Sequence, residues 1–414
     1  MGDITNPYYT AASSLLVNPD LKWETTTTRN AGLDFGLLSN KLTGALEFYW
    51  NSTNDLLVES DIPSYLGYSK QMRNIGRTGN KGTELTLNSQ IISKKDFNLS
   101  ASFNVGFNQS KIEALDGVNQ KSFNSNWAST DLKNQDDYQV IVGQSVGLMY
   151  GYVTDGFYSV DDFSSYDAVK KVYVLKTGVP TTGILGGTIG IRPGTLKLKD
   201  ISGPNGVPDG VVDGTYDRQV IGNANPKNTG GFNVSMQYKN FDVSVYLNWV
   251  YGNQIYNANK IAASMYYRTT YGNMLNTMNY DNRFKYINAA GVVVTALEDL
   301  RTLNANANIW SPFSFGNATP VFQSWAVEDG SFLRLNNVTI GYSLPAKLIR
   351  KLAMSQLRFY CTGTNLLTWT KYSGYDPEVS STVRNSSYNA LTPGVDFSAY
   401  PKSRSITLGV NVSF

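Results

Sequence analysis

The feature that most constrains this 414-residue chain is an alternation of period two that returns in segment after segment. It is plainest in Ser403 to Phe414, SRSITLGVNVSF. There Ile406, Leu408, Val410, Val412 and Phe414 take every second position, and Thr407, Gly409, Asn411 and Ser413 fill the gaps. A period of two sets the apolar side chains on one face of a strand and the small polar ones on the other. The closing strand of a soluble sandwich and a strand of a membrane wall both fit this run, and it does not choose between them.

The same pattern recurs in pairs. Trp23 to Leu38 is a Thr-rich strand, Ser39-Asn40 a tight turn, and Lys41 to about Thr53 the return, with Leu42, Gly44, Leu46, Phe48 and Trp50 on one face. A second hairpin joins Asn80–Ile92 to Phe97–Ser110 through Ser93-Lys94-Lys95-Asp96. A third joins Gly230–Tyr238 to Phe241–Tyr251 across Lys239-Asn240. The fourth runs from Phe332 to Leu344, turns between Pro345 and Ser355, and returns from Gln356 to Leu367. Turn residues between two alternating runs are the hairpin signal. In Phe332–Leu344 the apolar phase slips between Leu335 and Val338, which predicts a β-bulge at Asn336-Asn337. With the last segment this makes nine strands, and one or two weaker ones fit around Leu148 to Tyr158. Residues from Asp55 through Pro63 and Gly67 read as a long polar connection.

The connections are asymmetric. Turns inside hairpins are a few residues long, whereas the links Lys111–Thr229, Gly252–Gln323 and Thr368–Lys402 run to tens of residues. A soluble sandwich has no reason to gather its long loops at one end; outer-membrane barrels have short periplasmic turns and long extracellular loops. Trp50 and Trp249 lie about eight residues beyond their short turns, roughly one tilted span, where an outer aromatic girdle belongs. Thr43, Glu47, Asn98, Asn104, Ser244 and Asn248 would then face the lumen. Charged residues amount to 16%, below the roughly 25% usual for soluble domains. No run approaches the eighteen or so apolar residues of a spanning helix. A barrel strand leaves no such run, because it alternates.

Composition removes several chemistries. The chain has no His, which excludes Ser-His-Asp and Cys-His catalysis and histidine metal sites. Its one cysteine, Cys361, alternates with Leu357 and Phe359 and reads as a small apolar filler. The net charge of +3 is spread along the chain, and no basic block points to nucleic acid.

Several segments carry a family resemblance: NPDLKWETTTTRNAGLDFGL (Asn18–Leu37), NIGRTGNKGTELTL (Asn74–Leu87), GYVTDGFYS (Gly151–Ser159), DGSFLRLNNVTIGYSLPAKLIRKL (Asp329–Leu352), TGTNLLTWTKYSGYDPEVS (Thr362–Ser380) and the closing YPKSRSITLGVNVSF. In this order they resemble the C-terminal half of SusC/RagA-type TonB-dependent outer-membrane transporters. The terminal aromatic strand also resembles the assembly signal of outer-membrane barrels. The resemblance implies an all-β, antiparallel transmembrane β-barrel, this chain supplying about 9–11 of 22 strands. It implies location in the outer membrane of a Gram-negative cell of Bacteroidota type, and TonB-powered import of oligosaccharides or peptides, glycans first. The partners it implies are a SusD-like surface lipoprotein and TonB, with outer-membrane lipid around the wall. MGDITNPYYT lacks the basic start and apolar core of a signal peptide. Residues 1–414 are therefore expected to be the C-terminal portion of a barrel whose signal peptide, N-terminal domain, plug and remaining strands lie upstream.

No catalytic residues are expected, and no cofactor is required. The carboxylate pairs Asp136/Asp137 and Asp161/Asp162 suit acid–base partnership poorly, because neighbours on an extended chain point apart. Gly76 to Thr83 (GRTGNKGT) lacks the contiguous Gly-Lys-Ser/Thr of a phosphate loop and runs into a strand. Asp200, Asn205, Asp209, Asp213 and Asp217 place oxygen ligands in a Gly-rich loop of the kind Ca²⁺ accepts; a solvated array of turns reads the same residues equally well. For substrate contact the candidates are loop aromatics: Tyr266, Tyr267, Tyr271, Trp310, Phe313, Tyr372 and Tyr375. Their flat rings stack on sugars, and they also serve to pack loop on loop. Asn253 to Met274 has helical spacing at Ile255, Ala258, Ile261 and Ala262, so a short helix is expected there.

Overall fold

The structure is a computed structural model. It describes residues 15–63, 67–115, 117–125, 136–185, 190–265, 273–313, 321–349, 353–378, 391–397 and 399–414. All nine expected strands form. They are β1 (Thr25–Leu37), β2 (Leu42–Asp61), β3 (Lys70–Lys94), β4 (Phe97–Ala114), β5 (Asn228–Tyr238), β6 (Phe241–Tyr251), β7 (Phe332–Ser343), β8 (Gln356–Thr370) and β9 (Ser405–Ser413). Each pairs antiparallel with the next in one continuous wall, and the short segment Leu15–Leu16 adds to β3 in parallel. The wall is open at β1 and β9.

The register turns the alternation into two faces. Across the pairings Phe103–Phe232–Leu247–Leu335–Leu367 and Met236–Val243–Ile340–Cys361–Leu408, apolar residues stand side by side through five strands. The opposite face carries rows such as Ser100–Ser235–Ser244–Thr339–Thr362–Thr407. The residues expected to face the lumen lie on this polar face. A one-residue slip anywhere would exchange the faces. The bulge falls where the phase slip predicts: pairing of β7 with both neighbours shifts between Leu335 and Asn337, so both sides keep their apolar residues outward.

Two aromatic rows bound the apolar face. At the short-turn end Phe97, Tyr238, Phe241, Tyr342 and Phe359 lie in one register row, with Phe241 and Tyr342 rings 4.6 Å apart. At the other end stand Phe48, Trp50, Trp249 and Trp369. Phe241 and Trp249 bound a nine-residue run of β6, about 26 Å along the strand and about 20 Å in height once tilted, in keeping with the roughly 9–11 residues of a tilted transmembrane strand. Gly230 is required beneath Trp249, since a Cβ there would come 2.2 Å from the indole.

The long strands revise one expectation. Asp55 to Asp61 and Lys70 to Arg77 do not form a polar connection; they extend the β2–β3 ladder, with bulges near Leu56. Strands of 20 and 25 residues exceed any membrane span, so their far ends project from it.

The hydrophobic core is not in the wall. Among the described residues the only fully buried hydrophobic residues of the nine strands are Ile112 and Phe332. The core lies in the three long links, which condense into a single cap. Tyr138, Met149 and Leu196 of the first link, Tyr256, Ile261, Trp310 and Phe322 of the second, and Val395 of the third share one cluster. Tyr256 stacks on Phe322 with centroids 3.8 Å apart, and the Tyr138 hydroxyl donates to the Pro393 carbonyl at 2.5 Å. The cap's main sheet takes the strand around Leu148 together with Tyr138–Ile141, Gln120–Phe123 and Arg218–Asn223. The helix expected in 253–274 is present as Ala258–Ala262, started by the Asn257 side chain accepting from the Lys260 N–H. A sandwich needs a second sheet packed on the first. The apolar face of this wall is instead exposed, Ile340 at 51% and Leu408 at 79%, with no second sheet on it among the described residues, which counts against the sandwich reading.

Candidate substrate-facing surface

The polar face of the wall is a field of small hydroxyls and amides crossed by a few charges. Glu47 stands opposite Glu84, and Tyr49 donates to Asn108 at 2.8 Å. Near the short turns Arg358 forks onto Asp242 at 2.9 and 2.5 Å, a bidentate pair joining β8 to β6.

The cap is tied to this face by a buried ionic knot. Arg334 stands on β7 opposite Asn248, with its neighbours Leu333 and Leu335 pointing outward. It is 1% exposed and donates to Asp376 at 2.6 Å and to Asn365 at 3.0 Å. Glu378 lies 3.2 Å away and reaches on to Lys402 at 2.7 Å. Burial pulls the Asp376 carboxyl upward, but the Glu378 N–H, the Arg334 guanidinium and the Lys402 N–H outweigh it and hold it below its ordinary range. The reading of the sequence missed this knot. A lone Arg on the polar parity of an otherwise apolar strand, FLRLNN, is the signal that could have found it.

The predicted contact residues divide. Tyr266, Tyr267 and Tyr271 lie outside the described residues. Trp310 is buried and meets Trp325 edge-on at 4.6 Å. Tyr372 is buried too; its hydroxyl donates to Asp396 at 2.6 Å, and burial with that carboxylate raises its pKa far above normal. Phe313 and Tyr375 keep open rings, 50% and 81% exposed.

In the acidic loop each aspartate serves backbone. Asp217, wholly buried, accepts from the N–H groups of Ile201, Ser202 and Asp213. Asp200 accepts from Gly210, Asp209 from Val211, and Asp213 from Thr215 and Tyr216. Among the described residues no three or more Asp, Glu or Cys side chains cluster closely enough to hold a metal ion. The other carboxylate pairs also diverge: Asp161 meets Arg301 at 2.6 Å, while Asp162 takes the Ser159 N–H and Lys197. Asp137 is buried, accepts from Ser125, and is pushed up to about 7 by desolvation, against the pull of those hydrogen bonds and of Arg218. Gly76 to Thr83 sits inside β3, with no loop to cradle a phosphate.

Comparison with known proteins agrees with this geometry. Residues 2–198 match the family described as TonB dependent receptor-like, beta-barrel. TonB-dependent receptor P26 of Formosa agariphila is 30% identical over 400 residues, covering 96% of this chain and 35% of the relative. TonB-dependent receptor P3 of the same organism is 29% identical over 409 residues, with the same coverage. TonB-dependent receptor SusC of Bacteroides thetaiotaomicron is 27% identical over 423 residues, covering 98% of this chain and 34% of SusC. Among solved structures, the RagAB peptide importer in its open-open state superposes with a TM-score of 0.68 at 23% identity, over 96% of this chain and 35% of that one. The chain spans about a third of the length of the curated relatives it matches. These relatives are named as TonB-dependent receptors, in agreement with the expectation that the chain is not an enzyme. The chain carries a TonB-dependent receptor β-barrel domain of the outer membrane and is similar along its length to receptors of that kind, SusC among them.

Proposed function

We propose that this chain supplies part of the wall and the extracellular cap of an importer that brings nutrient oligomers across the outer membrane, with energy delivered by TonB. The carrying observation is the pairing of a wall, apolar outside and polar inside, with a folded cap anchored on the polar side through Arg334. Strands from the rest of the protein close the wall, since an open edge in lipid leaves backbone groups unsatisfied at several kcal/mol or so each. A SusD-like surface lipoprotein sits over the mouth as the lid. Glycans are the preferred cargo, because Phe313 and Tyr375 present flat rings of the kind that stack on sugar faces. RagAB is described as a peptide importer; its likeness to this chain extends to the fold, and peptides are the second reading.

The test is a deletion strain complemented with the full-length receptor and grown on single oligosaccharides or peptides, with and without a working TonB. TonB-dependent growth restored on oligosaccharides supports the proposal, and growth on peptides alone moves it to the second cargo. A receptor that restores neither, and from which no lipoprotein co-purifies, overturns it.

For the acidic loop the proposal is that Ca²⁺ draws Asp200, Asn205, Asp209, Asp213 and Asp217 together into one site, since without the ion no three of these carboxylates stand close enough to share it. Its support is the buried Asp200 Oδ1, which has no hydrogen-bond partner among the described residues. Equilibrium dialysis of the full-length receptor against ⁴⁵Ca²⁺ should show one site that Asp200→Asn weakens. Equal binding by both proteins would sink it.

A further inference from the structure

A concavity of about 1050 Å³ opens on the outer side of the wall, with Phe48, Trp50 and Phe107 in its lining. Register explains its position. Pairing of β4 with β5 ends at Gly106–Thr229, and the β4 edge is taken up again only at Ile112, which exchanges hydrogen bonds with Gly143 and Gln144 of the cap. Between them the wall is notched, and the strand leading into β5 forms the far side.

Four cations ring this notch: Arg29, Lys81, Lys111 and Lys227. Arg29, Trp50 and Lys81 stand in one register row, so the two charges flank the indole across adjacent strands. Lys111 lies on the same face, opposite Gly79 and diagonal to Lys81. All four are exposed, and no carboxylate among the described residues pairs with any of them. The one acid lining the notch, Glu113, is taken by Arg77 at 2.9 Å. Glu47 and Glu84 are of the other parity and face the lumen. A net cationic notch immediately above the aromatic row of a membrane wall meets the headgroup layer. Guanidinium and ammonium groups there suit phosphate oxygens, while Phe48 and Phe107 below offer an apolar floor to the first carbons of a chain.

We propose that this notch is a binding site for a phosphorylated lipid of the outer leaflet, its phosphate held by Arg29 and Lys81 with Lys111 and Lys227 closing the far side. The site rests on the outer-membrane placement and not on the cargo. A receptor that binds lipid but imports no oligomer would sink the preceding reading and leave this one standing.

The test uses the full-length receptor in mild detergent, titrated with diphosphorylated lipid A and, separately, with its dephosphorylated form, binding being read by native mass spectrometry. The phosphorylated lipid should bind in preference. Arg29→Gln with Lys81→Gln should weaken it by about thirtyfold, the loss of two of the four charges near a headgroup. Lys239→Gln, in a short turn at the opposite end, should leave it unchanged. If the double variant fails to assemble, Lys81→Gln alone carries the test, with about fivefold weaker binding expected. Equal affinity for both lipids, an unchanged Kd in the variants, or displacement by millimolar inorganic phosphate would overturn the proposal, the last by showing a small-anion site.

Discussion

Val245 provides the sharpest test of which face meets lipid. It lies four residues from Phe241 and four from Trp249 on β6, about 13 Å along the strand from each aromatic row. That puts it at the middle of the apolar band, in a row with Val234 and Val338. Ser244, one residue away, points to the polar face between Ser235 and Thr339. An arginine at the midplane of a barrel's lipid face costs about 2–4 kcal/mol, whereas one on the lumen face changes selectivity at little cost in stability. Val245→Arg in the full-length receptor should therefore lower the amount of folded barrel in outer membranes sharply. Ser244→Arg should assemble nearly as the parent does. Heat-modifiable mobility of membrane fractions on gels, with surface proteolysis, measures both. Equal losses, or a greater loss for Ser244→Arg, would mean that the faces are misassigned and would refute the membrane geometry.

The ionic knot gives a second expectation. Arg334→Ala leaves Asp376 buried without its partner and should cost about 3–5 kcal/mol, read as faster proteolysis of the cap while the wall stays heat-modifiable. Arg334→Lys should restore only part, since one ammonium cannot serve Asp376 and Asn365 in the guanidinium's geometry. Asp137 makes cap stability depend on pH. Its carboxyl is pushed up to about 7 from an ordinary value near 3.8, so the folded cap holds a proton that the unfolded chain releases. Stability should be greatest below pH ~4, fall as pH rises toward 7, and level off above. Asp137→Asn should flatten the profile, as followed by thermal unfolding of the cap across that range. Trp310→Ala should loosen the cap by about 3–5 kcal/mol, seen as cap proteolysis, whereas Tyr375→Ala should leave the fold intact and weaken oligomer binding measured by calorimetry.

The strands and their pairing were legible in the chain because the information is local. A period of two, a turn such as Lys239-Asn240, and the slip at Asn336 each act within a few residues and determine the face each side chain takes. The extension of β2 and β3 through Asp55–Asp61 and Lys70–Arg77 was not legible, because polar residues in a ladder that projects into water look like those of a loop. The same limit applied to the aromatics. Trp310 and Tyr375 read alike as loop rings, yet one is buried against Trp325 and the other stands open.

What the sequence alone determined is an antiparallel wall with an apolar and a polar face, short turns at one end and long links at the other. What only the tertiary structure decided is that those links share one core, that Arg334 pins it to the wall, and that four scattered cations meet at one notch. The reason is separation along the chain. Tyr138 meets Pro393 across 255 residues, and Arg334 finds Asp376 across 42. No local periodicity records such a meeting; it follows from how the wall's register brings the link ends together.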